Sequence, residues 1–174
     1  INPKLTQWLP EMKSWLIEAS IDGIGDRNRY IRYPSDWNKI LTSIRFYNQV
    51  SRKATNGGVN YGPAIQLLNI DQLVDLCVWV DEVSNGESGV GFYSHVKYPI
   101  ICDYDIAPTD WKLMVAEKLE ANLNRMNNER SVEGVQRHIN GLRNETFTTE
   151  RKNSLQSMFV KYNDTQDRLR TNTK

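Results

Sequence analysis

Asn69-Ile70-Asp71-Gln72-Leu73-Val74-Asp75-Leu76-Cys77-Val78-Trp79-Val80-Asp81-Glu82-Val83 fits two periodicities at once. Leu73, Leu76, Cys77, Val80 and Val83 recur at the spacing of one helical face, and Asn69 or Asp71 offers an N-cap. Val74, Leu76, Val78 and Val80 alternate as a half-buried strand would, and β-branched residues favour strands. The capping residues ahead of the apolar run tip the choice toward a helix. With a helix at its centre, the fold is mainly α.

The flanks supply what little β-structure is expected. Downstream, Ser84-Asn85-Gly86 is a turn signal, and Val90, Phe92, Ser94, Val96 and Tyr98 alternate like a strand or hairpin arm. Pro99 lacks a backbone donor and would confine that arm to a sheet edge. Upstream, Asn56-Gly57-Gly58 breaks the chain, and 56–62 reads as a loop or hinge.

Further out, helices dominate. Leu5, Trp8, Leu9, Met12, Trp15, Leu16 and Ala19 share one face of an N-terminal helix that Pro10 kinks or starts. Ile21 to Tyr33 reads as loop, with a short strand at Tyr30–Tyr33. Pro34-Ser35 opens a helix with Ser35 as N-cap and Trp37, Ile40, Leu41, Ile44 and Tyr47 as its stripe. Trp111, Met114, Val115, Leu119, Leu123 and Met126 follow Pro108-Thr109 as another amphipathic helix. A shorter one after Ser131 carries Val132, Val135, Ile139 and Leu142 and stops near Gly141. Thr148 or Thr149 caps the last, lined by Leu155, Met158, Phe159, Tyr162 and Leu169. The expected fold is mainly α (α+β): about five helices in a single domain, 1–174, with a small β-hairpin or short strands at 88–102.

Composition narrows the class. The 174 residues are 39% hydrophobic and carry 22 Lys+Arg against 21 Asp+Glu, a formal charge of +1. That is too apolar and too balanced for a disordered chain, and no run reaches the ~18 apolar residues of a membrane span. Cys77 and Cys102 make no disulfide framework. No basic, apolar and small-residue succession marks a signal peptide. An intracellular (cytoplasmic) or particle-associated setting is expected.

The near-zero charge hides a partition. Residues 27–53 hold seven basic groups against Asp36, a net of +6; residues 57–110 hold eight acidic groups against Lys97, a net of −7; residues 111–174 carry +4. Blocks of this kind mate within a fold, mate between subunits, or attract a charged partner. The sharpest feature is Arg27, Arg29, Tyr30, Arg32 and Tyr33, guanidinium groups alternating with rings. With Arg45, Arg52 and Lys53 they form a candidate phosphate-tracking and base-stacking surface.

Signals for chemistry are sparse. Asp103-x-Asp105, with Asp110 and His95 nearby, would suit Mg²⁺ only if both carboxylates turned toward one ion. His95 and His138 are 43 residues apart and form no local zinc motif. Neither cysteine sits in a reactive motif, and the glycine clusters at 56–62 and 86–91 lack phosphate-loop order. No metal ligand set, cofactor or small-molecule substrate is assigned, and the chain reads as a non-enzyme. The first expectation is a noncatalytic structural or assembly subunit, a homo-oligomer or virion-type particle component. Its contacts would come from Trp8, Trp15, Met158, Phe159 and Tyr162. The second is nucleic-acid binding through the basic residues above, and the third a Mg²⁺-dependent hydrolase at Asp103 and Asp105.

Overall fold

Trp15-Leu16-Ile17-Glu18-Ala19 forms a strand, β1, where the apolar spacing predicts a helix. Gln7 and Trp8 are helical and pass into the 3₁₀ turn Leu9–Glu11, and the helix goes no further, since Pro10 lacks the donor and its ring prevents an α-helix from running through it. Trp15, Ile17 and Ala19 then alternate with exposed Leu16 and Glu18, a period of two nested in the helical pattern. The structure, a computed structural model, describes residues 7–92 and 94–171; Leu5 of the expected helix lies outside them.

β1 pairs in parallel with β2 (Gly57–Tyr61), in register from Trp15↔Gly57 to Ala19↔Tyr61. The stretch expected as a loop or hinge is therefore the inner partner of a sheet. Its glycines follow from packing. A Cβ on Gly57 would sit 2.4 Å from the Trp15 indole. Two helices fill the crossover. Asp26–Ile31 forms α1 in place of the predicted loop and strand, and α2 (Trp37–Ser51) is capped by Asp36 rather than Ser35. The Asp36 carboxylate accepts from the Asn38 and Lys39 amides at 3.0 and 3.3 Å.

A second parallel unit follows. β3 (Ala64–Ile65) leads through a 3₁₀ turn into α3 (Leu73–Ser84), and the chain returns as β4 (Ser94–His95) alongside β3. Of the hairpin or short strands expected at 88–102, it is a short strand that forms, β4, and not a hairpin, because a parallel partner must arrive through a crossover, here α3. Tyr61 bridges Val90 in parallel between the two short ladders. The contested stretch is helical, and Leu73, Val74, Leu76, Cys77 and Val80 are buried at the centre of the core. Asn69 does not cap it. Its Oδ1 accepts from the Gln66 amide, and its Nδ2 donates to the Asp22 and Ala64 carbonyls, each within 2.9 Å.

The remaining helices are α4 (Thr109–Glu120), α5 (Glu129–Arg143) and α6 (Thr149–Thr171). α4 and α5 bury Val115, Ala116 and Leu119 against Val135, Ile139 and Leu142. α5 starts at Asn128, whose side chain accepts from the Ser131 amide, and continues past Gly141. Thr148 Oγ1 accepts from the Arg151 amide at the start of α6. The result is an α+β fold, mainly helical, and among the described residues no helix is long and apolar enough to cross a membrane.

Candidate interaction surfaces

The basic–aromatic arm folds inward. Arg27 donates to the Leu68 carbonyl and pairs with Asp71 at 3.2 Å, Arg29 pairs with Asp26, and Arg32 Nε lies 2.8 Å from the buried Asp22. Arg52 meets Glu87 at 3.2 Å. Tyr30 and Tyr33 flank the guanidinium of Arg170 at the far end of α6, with the carbon 4.5 and 5.2 Å from their ring centres. Arg45 and Lys53 are exposed on and just beyond α2. The eight residues are thus distributed over α1, α2 and their partners. Two of the pairs, Arg27–Asp71 and Arg52–Glu87, join the basic block to the acidic one within one fold. Arg125–Asp75, at 2.8 Å, brings in the third block.

The aromatic and apolar candidates separate in a different way. Trp15 packs half-buried against Gly57, whereas Trp8 is 66% exposed, so the two do not share a helix face. α6 turns Lys152 and Leu155 inward, and Gln156 Nε2 donates to the Ile106 carbonyl at 2.7 Å. Phe159 is half-buried. Met158, Tyr162 and Leu169 instead share an outer stripe with Thr165 and are 52%, 42% and 58% exposed. The end of α6 is fastened beneath this stripe, because Tyr30 Oη donates to Asn163 at 3.4 Å and Arg170 lies between the two tyrosines.

A third grouping joins residues far apart in sequence. β4 places His95 so that its Nε2 lies 2.8 Å from the Asp103 carboxylate, with its ring stacked 4.1 Å over Tyr104. The Tyr104 hydroxyl reaches His138 Nδ1 of α5 at 3.2 Å, and the two imidazoles lie 6.2 Å apart. Gly134 and Gly141 stand one turn before and after His138 on the same face of α5. A Cβ on Gly134 would sit 2.0 Å from the Phe92 ring, and one on Gly141 would sit 2.8 Å from the Tyr104 hydroxyl. Spacing between histidines does not reveal this cluster; the Gly134, His138 and Gly141 stripe is its one sequence trace.

The electrostatics of the cluster favour a neutral His138 and a neutral Tyr104. Burial, then His95 and Arg137 nearby, lowers the His138 pKa to about 4. Burial, then Asp105 and Asp103, raises that of Tyr104. The phenol therefore keeps its proton and donates it to unprotonated Nδ1. Burial opposes the charge of Asp103, but hydrogen bonds from His95 and the Asp105 amide outweigh it and lower its pKa. Asp105 faces elsewhere, accepting from Thr146 Oγ1 at 2.8 Å and lying 3.8 Å from Lys112. Asp103 and Asp105 do not converge on one point, and Asp110 stays exposed in the first turn of α4. Cys77 is buried with its thiol pKa pushed up to about 12 by desolvation, then by Asp81, which suppresses the nucleophilic thiolate. Comparison with protein-family models, with curated proteins and with solved structures returns no match to this chain.

Proposed function

We propose that the chain is a noncatalytic assembly subunit that associates through the outer face of α6. The observation that supports this reading is the stripe Met158, Tyr162 and Leu169, exposed on a helix whose inner face is already engaged. Apolar side chains aligned along a helix form a ready interface, and a fastened helix loses little entropy on docking. A second copy of the chain is the partner in this reading. The pairing of Arg27, Arg29, Arg32 and Arg52 with carboxylates supports it over nucleic-acid binding, since those groups would have to leave their partners to reach phosphate.

Sizing with light scattering tests it. The wild-type chain is expected to self-associate with rising concentration, and Met158→Asp with Tyr162→Asp is expected to be monomeric with an unchanged far-ultraviolet spectrum. A wild-type chain that stays strictly monomeric at high protein concentration and low salt would overturn the reading.

A further inference from the structure

β1 is a sheet edge with a groove beside it. The Trp15 amide donates to the Asn56 carbonyl and the Ala19 carbonyl accepts from the Gly62 amide, each at 3.1 Å. In a parallel ladder the residues that bond to a given neighbour alternate, so the backbone groups of Leu16 and Glu18 point away from β2. Among the described residues no strand pairs with that side. An open row of donors and acceptors is a template for another chain.

α2 packs chiefly over β2 and leaves a cavity of about 520 Å³ beside β1. Ile17, Ile21, Ile40, Ile44, Tyr47 and Val59 make its walls largely apolar. Its rim carries Glu18, Asp36 and Lys39. Asp36 is occupied in capping α2 and lies 3.8 Å from Lys39. Glu18 lies on the face of β1 opposite Ile17, with its carboxylate against Gly62 just past β2; it is exposed and makes no hydrogen bond or ion pair with the described residues, which leaves an uncompensated charge on that face of the sheet.

We propose that the open edge of β1 receives an extended peptide segment of another protein, which adds as a further strand. Its alternate apolar side chains enter the groove between β1 and α2, and a Lys or Arg beside them meets Glu18. Main-chain hydrogen bonds supply affinity in such an addition, and the side-chain groove and the charge supply selectivity. Glu18 also argues against a second copy as occupant. Two-fold pairing of a five-residue strand with itself would bring two Glu18 carboxylates within a Debye length of ~10 Å. The surface uses none of the α6 residues assigned above to self-association.

The test is selection from a phage-displayed library of ten-residue peptides on the full chain, followed by fluorescence anisotropy with the synthesised winner. Enriched sequences are expected to alternate apolar residues and to carry a Lys or Arg. N-methylation of the alternate amides facing β1 is expected to weaken binding at least tenfold, because it removes ladder donors while keeping the side chains. Glu18→Lys is expected to weaken binding to a similar extent with an unchanged circular dichroism spectrum, and Met158→Asp with Tyr162→Asp to leave it unchanged. No enrichment, tolerance of N-methylation, or indifference to Glu18→Lys would each overturn the proposal. So would self-association of the wild-type chain that Leu16→Pro abolishes by removing an outward-facing donor of β1, which would make a second copy the occupant.

Discussion

Gly134 carries more of the design of α5 than its size implies. Alanine is the better helix former by about 1 kcal/mol, so Gly134→Ala on an open face would stabilise. Here the added methyl meets the Phe92 ring at 2.0 Å. Overpacking of this kind costs roughly 1–3 kcal/mol, which outweighs the gain in propensity. Gly134→Ala is expected to lower the urea midpoint, and Phe92→Ala in the same chain to relieve part of the loss. His138 supplies a second outcome at this scale. Its pKa falls from 6.5 to about 4 on folding, so the unfolded chain takes up the proton first as pH drops. The stabilising contribution is complete above pH ~6.5 and is lost toward pH 4, with an upper bound of ~3 kcal/mol. The groups facing the ring are His95, Tyr104, Phe92 and Arg137. His138→Gln is expected to flatten the dependence of stability on pH between 6.5 and 4, measured by urea unfolding at each pH.

At the level of elements, a buried cation joins α4 to the connection that leads into α6. Lys112 is fully buried, donates to the Asn144 carbonyl at 2.5 Å and lies 3.7–3.8 Å from Glu145 and Asp105. Lys152 of α6 pairs with the same Glu145 and donates to Thr109 of α4 at 3.1 Å. Removing Lys112 leaves the buried Asp105 carboxylate without its cation, while Glu145 is exposed and keeps Lys152. Lys112→Ala is therefore expected to cost ~3–5 kcal/mol in urea unfolding. Lys112→Met with Asp105→Asn is expected to recover much of that loss, since the volume is kept and the nearest buried carboxylate is neutralised. Sequence reasoning located α2, α3, α4, α5 and α6 because each carries an apolar face of at least three turns. It misread Trp15–Ala19, where five residues satisfy a helical and a strand spacing together and the partner that decides between them lies some forty residues away.

Across the whole molecule the charge blocks find one another, which bears on how the chain would associate. Arg27–Asp71, Arg52–Glu87 and Arg125–Asp75 are partly exposed pairs, each contributing ~0–1 kcal/mol and weakened by salt. Self-association driven by the apolar stripe of α6 is therefore expected to persist in ~0.5 M NaCl, where an assembly built on mating blocks would dissociate. Light scattering across a salt series distinguishes the two. By themselves the residues determined the helical majority, the apolar faces and the charge partition, because periodicity and composition are local. The parallel pairing of β1 with β2, the exposure of Met158 and Tyr162, the meeting of His95 with His138 and the inward turn of Arg27 and Arg32 were decided by the tertiary structure. Each depends on which distant segment comes to lie alongside, and a spacing pattern records only the face that must be covered.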